Sequence, residues 1–239
     1  MDIYEKNRCF LCQGNIKREI SWVGFFLNQG EFYLCEKCEK KLEKIRGEKC
    51  SLCSRPMEKL PAKFKKEAIC YDCYLWEKEE KWRGVLEKNI SLYVYNEFMA
   101  ELIARFKYRG DYVLAKIFAA DIKGVLQRNE FDLIVPIPLS NERLFERGFN
   151  QAEALAREAG MHPVSILSRI HSEKQAKKSR QERIHLPEVF SVTNPIQVKE
   201  KTVLLIDDIY TTGSTLRHAA YVLKKAGAKR VQSLTIARG

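Results

Sequence analysis

Apolar residues recur along this chain with two different periods, and the change of period marks its organisation. TVLLID (202–207) is an unbroken apolar, largely β-branched run, the pattern of a strand covered on both faces of a parallel sheet. SLYVY (91–95), FDLIVPIPL (131–139), HPVSIL (162–167) and RVQSLTIA (230–237) also read as strands. Between them, apolar residues three and four apart predict helices over 97–107 and 111–128. NQAEALAREAG (150–160) and TLRHAAYVLKKAGA (215–228) read as helices stopped by glycine. Alternating strands and helices predict an α/β fold with an open, mostly parallel sheet flanked by helices.

Residues 1–84 break that rhythm into short pieces and carry every cysteine of the chain, all within the first 73 positions. The charged stretch WEKEEKWRGVLEKN (76–89) is read as the link to the α/β domain, 89–239. The cysteines form four C-x2-C pairs: Cys9 and Cys12, Cys35 and Cys38, Cys50 and Cys53, Cys70 and Cys73. Two thiolates at that spacing turn back on each other and hold one side of a tetrahedral ion. The third and fourth pairs lie 16 residues apart, a zinc-ribbon spacing, and the first and second lie 22 apart. The expectation is two structural Zn2+ sites with four thiolates each and no open coordination position. Sequential pairing and a cross-braced arrangement are both compatible with the spacing. Trp22, Phe25, Phe26, Phe32, Tyr33, Tyr71, Tyr74, Trp76 and Trp82 lie among lysines in this module. They fit small cores around the metals, or alternatively platforms for single-stranded bases.

Length, 45% hydrophobic and 31% charged residues describe a globular chain. The start, MDIYEKNRCF, lacks the apolar segment of a signal peptide, and no apolar run is long enough to cross a bilayer. A cytoplasmic protein with no membrane insertion is expected. The formal net charge of +11 is spread over both parts of the chain and suits polyanionic partners, nucleic acid or phosphorylated compounds.

The clearest candidate site follows the clearest strand. Asp207 and Asp208 stand at its carboxyl end, where open α/β sheets bind ligands. Thr211, Thr212, Gly213, Ser214 and Thr215 come next and lead into a helix. Hydroxyls and free N–H groups at a helix N-terminus form a cradle for phosphate. Carboxylates beside it suit ribose hydroxyls or a hydrated Mg2+, so a sugar phosphate is inferred. A Walker B strand also ends in acids, but the chain has no G-x4-G-K-[ST] loop. Helix capping alone does not explain two adjacent acids.

VLLIDDIYTTGST (203–215) resembles the 5-phosphoribosyl-1-pyrophosphate (PRPP) signature of type I phosphoribosyltransferases. VPIPLSNERLFERGFNQA (135–152), FKYRGD (106–111) and the cysteine-rich module ahead of such a domain are similar to the ComF family of competence-related proteins, across essentially the whole chain. The resemblance implies that Asp207 and Asp208 contact the ribose diol and that Thr211 to Thr215 hold the 5-phosphate, with Mg2+ accompanying PRPP. It also implies a role in natural transformation, where imported single-stranded DNA is handled, in partnership with a ComFA-type DNA helicase. Arg143 and Arg147, four apart, are candidates for the diphosphate, with Lys107 facing the same cleft. RIHSEKQAKKSRQER (169–183) reads as a basic loop. Its Lys174 is a candidate for closing over PRPP, and Lys177, Lys178 and Arg180 for a nucleic-acid backbone. His218 is expected in a surface or packing role and not in catalysis. A salvage phosphoribosyltransferase and a non-catalytic, zinc-stabilised interaction protein are the alternatives, and a transferase acceptor is not evident in the sequence.

Overall fold

The computed structural model describes residues 8–16, 32–170 and 189–239. Four parallel strands form the central sheet in the order β3-β8-β7-β4: β3 is Lys88–Val94, β4 Leu133–Pro136, β7 Thr202–Tyr210 and β8 Arg230–Arg238. The two central strands, β7 and β8, are almost wholly buried; β7 reads as a near-continuous apolar run, whereas β8 carries the buried polar residues Gln232, Ser233 and Thr235 among its apolar ones. Each edge is tied down by neighbouring chain. Residues 43–45 bond along β3, with Ile45 N–H donating to Leu92 O at 2.9 Å. Beyond β4, Val164 N–H donates to Ile134 O at 2.8 Å.

Helices cover both faces. One face packs α3 (Glu97–Tyr108), α4 (Lys116–Leu126) and α6 (Gln151–Glu158) through Phe106, Phe118, Leu155, Leu204 and Leu234. The other packs α8 (Ser214–Lys225) through Leu216, Ala219 and Leu223 onto Val203, Leu205 and Val231. The same second core contains Cys50, Cys53, Cys70, Cys73, Trp76 and Trp82. Of the shorter helices, α1 is Glu36–Glu39, α2 Tyr71–Lys78, α5 Asn141–Arg147 and α7 Pro195–Val198. Two antiparallel pairs complete the described chain: β1 (Lys65–Lys66) with β2 (Ile69–Cys70), and β5 (Leu167–Arg169) with β6 (Phe190–Val192).

The structure corrects three readings of the sequence. HPVSIL is not a strand: only Leu167 belongs to one, and that strand runs antiparallel to β6 outside the main sheet. The helix expected from residue 111 opens with a 3-10 turn, Tyr112–Ala115, before α4 begins. The stretch 76–89 is packed, with Trp76 and Trp82 buried edge-to-face at a centroid distance of 5.4 Å. His218 is buried beside Trp82 at 4.6 Å, which selects packing from the surface and packing roles expected. Trp22, Phe25, Phe26 and the basic loop from 171 to 183, with Lys174, Lys177, Lys178 and Arg180, lie outside the described residues. Among the described residues, no helix is long and apolar enough to cross a membrane.

Leu205 is fully buried in β7 against the cysteine side of the sheet. Leu205→Ala should lower the unfolding free energy by about 2–5 kcal/mol, as lost transfer energy and a residual cavity add. Urea denaturation reads it directly, and an unmoved midpoint would contradict this account of the core.

Candidate functional site

At the carboxyl ends of β4 and β7 the chain opens into a cleft of about 230 Å³. Three local features shape it. The β4 strand passes into Ile137–Leu139, and Ile137 N–H donates to Ile206 O at 3.0 Å, keeping this loop beside β7. Ser140 caps α5 by accepting from Arg143 N–H, and Gly148 ends α5 at φ 75°, a left-handed turn that favours glycine. Asn150 caps α6, accepting from Ala152 N–H at 2.9 Å, while its amide donates to Ile137 O at 3.0 Å. One asparagine therefore fixes both the helix start and the loop after β4.

Asp207, Asp208, Thr211, Thr215, Lys107, Arg143 and Arg147 all line this cleft, brought together from three separate segments. Lys107 Nζ pairs with Asp208 Oδ2 at 2.6 Å in a largely buried contact. Asp208 N–H donates to Asp207 Oδ1 at 2.9 Å. Burial, followed by the adjacent Asp208 charge, pushes the Asp207 carboxyl up to about 7 from an ordinary 3.8. The two acids thus differ in kind: one is ion-paired, the other holds its proton toward neutrality.

The hydroxyl-rich turn divides. Thr211 and Thr215 face the cleft. Gly213 is the buried N-cap of α8 at φ 78°, and a Cβ there would overlap Tyr210 Oη and Arg217 Nη1. Thr212 O accepts from Trp76 Nε1–H at 2.9 Å, and Thr212 Oγ1 accepts from Ser214 N–H at 3.4 Å. The backbone of this turn is therefore pinned from beneath.

Arg169 is a cleft residue that the sequence does not distinguish from the basic run that follows it. Burial and the nearby Arg143 charge lower its pKa from the usual guanidinium value, so it is a cation held in the cleft beside another cation. That arrangement favours a multiply charged anion between them. Arg147 donates to Gln151 Oε1 at 2.9 Å and lies over the Tyr108 ring at 5.6 Å. Tyr108 is 70% exposed, and Phe145 on α5 is 92% exposed.

The cysteines gather sequentially: Cys9, Cys12, Cys35 and Cys38 in one cluster, and Cys50, Cys53, Cys70 and Cys73 in the other. In each, every Sγ lies within 4.8 Å of the others, and Cys12–Cys35 and Cys53–Cys70 are 3.6 Å apart. Zinc–sulfur bonds of about 2.3 Å in a tetrahedron put sulfurs about 3.8 Å apart, so both clusters fit such an ion. The cross-braced alternative is excluded. The first cluster includes the exposed Cys12, and Arg105 bonds Leu11 O and Phe10 O at 2.9 and 3.2 Å, tying that knuckle to α3. The second cluster is wholly buried.

Residues 118–239 match the family described as "Phosphoribosyl transferase domain". The whole chain is similar to "Competence protein ComFC" of Bacillus subtilis, 37% identical over 96% of this chain and 94% of the relative. It is also similar to the protein of the same name in Streptococcus pneumoniae, 33% identical over 97% and 100%. "DNA utilization protein YhgH" of Escherichia coli is 29% identical over 45% of this chain and 49% of its own. The chain belongs to the ComFC family of competence proteins, built on a phosphoribosyl transferase domain.

Two outcomes follow from the geometry. A carboxyl whose pKa is raised in the folded protein favours folding below its ordinary pKa and loses that advantage as pH rises through the folded value. Stability should therefore decline at this group between pH 3.8 and about 7, and Asp207→Asn should flatten that decline. Urea midpoints across that range check it, and parallel curves for wild type and variant would contradict it. From the two cysteine clusters, elemental analysis of protein purified without chelators should return two divalent ions per chain. A metal-free, folded protein would contradict that.

Proposed function

We propose that this chain binds PRPP in the cleft and acts in the cytoplasm during natural transformation, handling single-stranded DNA. One observation carries the first part: the acid pair, the hydroxyl turn and three arginines face a single cleft at the carboxyl ends of parallel strands. In this reading Asp207 and Asp208 accept from the ribose hydroxyls. Thr211 to Thr215 and the first N–H groups of α8 hold the 5-phosphate. Arg143, Arg147 and Arg169 neutralise the diphosphate, with Lys174 added from the basic loop. Lys107 lowers the net charge of the acid pair, so that a negatively charged ligand can approach it. Mg2+, if bound with PRPP, would supply further neutralisation of the diphosphate charge beside Asp207 and Asp208. Zn2+ fills the two cysteine clusters as a structural ion. If an acceptor attacks C1 of the ribose, the C1–O electron pair leaves with the diphosphate, and the arginines stabilise that growing charge.

The DNA part is supported by the competence and DNA-utilization relatives and by chemistry beside the cleft. Exposed Tyr108 and Phe145, with Arg147 over the Tyr108 ring, combine aromatic faces with positive charge, as single-strand binding sites do. Lys177, Lys178 and Arg180 would add backbone contacts. A ComFA-type DNA helicase is the protein partner implied by the family.

Calorimetric titration with PRPP and Mg2+ is the test. Wild type should bind, while Asp207→Asn with Asp208→Asn should lose binding yet keep its far-ultraviolet spectrum and metal content. Unchanged affinity would overturn the site. In parallel, anisotropy of a labelled oligothymidine should show steeply salt-dependent binding, and Tyr108→Ala should weaken it by about 1–3 kcal/mol. Pyrophosphate release that depends on an added nucleobase would instead mark a salvage transferase.

A further inference from the structure

The second cysteine cluster and the phosphate-accepting turn share their supports. Arg217, three residues into α8, is 1% exposed. Its Nη2 lies 3.9 Å from Cys73 Sγ and 3.9 Å from Glu77 Oε1, and its Nη1 donates to Tyr210 Oη. Its guanidinium sits 4.9 Å over the ring of Trp76. Trp76 stands on α2, three residues after Cys73, and donates to Thr212 O at 2.9 Å. Gly213 rests directly on the Tyr210–Arg217 pair, where no Cβ fits. Arg238, 3% exposed, completes the set: its Nε donates to Cys53 Sγ at 3.4 Å and its Nη1 to Tyr210 O at 3.2 Å.

We propose that the metal-loaded second cluster holds turn 211–215 in its anion-binding shape, with Arg217 and Trp76 as positioning residues. The argument is one of charge. A divalent ion in four thiolates carries two net negative charges. Two buried, permanently charged guanidiniums stand against the cluster and balance it. Loss of the ion unties the four sulfurs, so α2, which carries Cys73, Trp76 and Glu77, can draw away from Arg217 and leave that buried guanidinium with fewer of its partners. Arg217 is also the floor beneath Gly213, so its displacement releases the turn. Trp76, carried on the helix that bears Cys73, moves with it and gives up the Thr212 carbonyl. Metal occupancy and cleft affinity are then two readings of one equilibrium, and each must raise the other by the same factor.

This inference rests on the PRPP reading for its ligand, but its wiring can be tested separately. The full chain, loaded with Zn2+, is compared with protein partly stripped by a chelator, and ion loss is followed by site through the cysteines alkylated. Stripping the second cluster should speed amide hydrogen exchange at 211–215 while strands β7 and β8 stay protected. PRPP with Mg2+ should slow Zn2+ loss from that cluster. Trp76→Phe, which keeps the ring and removes the N–H, should retain both ions, raise exchange at 211–215 and weaken PRPP binding roughly 5-fold. It should also reduce the PRPP effect on Zn2+ retention, which a purely structural role for Trp76 would not move. Arg217→Lys, which keeps the charge without the two-ended reach, provides a second variant should one fail to fold. Exchange at 211–215 that ignores the state of the second cluster would overturn the proposal, as would wild-type PRPP affinity and undiminished PRPP-dependent Zn2+ retention in both variants. Failure of wild type to bind PRPP, with exchange still following the metal, would reject the ligand and keep the wiring.

Discussion

Two guanidiniums face sulfur inside this protein, and much else is arranged around that contact. Arg217 and Arg238 are nearly sealed from solvent, and neither can shed its charge. Burying them is tolerable only where opposite charge and hydrogen-bond acceptors are already in place. Cys73, Cys53 and the Tyr210 oxygens provide both. Tyr210 ends β7, Arg238 ends β8 and Arg217 begins the helix between them, so a polar knot closes the sheet at the level of the cleft. The cysteine-rich segment is thereby part of the cleft end of the sheet.

The other face of the sheet follows simpler rules. Phe106, Phe118 and Leu155 fill the space above Leu204 and Leu234 in an apolar cluster. Lys107 follows Phe106 and reaches Asp208 from this side. The acid pair thus sits where the two faces meet. One carboxylate is served by a lysine from the apolar side, while the other is left to burial and its neighbour.

What the sequence revealed depended on whether a feature was local. TVLLID was legible because a central parallel strand needs apolar residues on both faces, and the turn 211–215 because glycine and hydroxyls stand in consecutive positions. The acids hid the continuation of β7: the ladder runs on through Ile209 opposite Ala237 and Tyr210 opposite Arg238. HPVSIL failed because a short apolar run looks alike in a strand and in an edge segment making the single Val164 bond to β4. The C-x2-C spacing located the metal clusters but could not choose between pairings, because both leave two closed sets of four thiols. Arg169 was lost in a charge run. Arg217 carried a weak signal, a cation beside Leu216, Ala219 and Ala220 on an otherwise buried helix face. The Trp76–Thr212 bond joins positions 136 residues apart, and no local pattern encodes such a contact.

The placement of β8 between β3 and β7 bears on how the protein is born. Residues 88–94 find their ladder partner only when 230–238 has left the ribosome, so the sheet cannot assemble progressively during translation. Until that moment Cys50, Cys53, Cys70 and Cys73 lack the lid that later seals them, while Arg238 has not yet been made. In that interval the end of the sheet that packs against those thiols is incomplete.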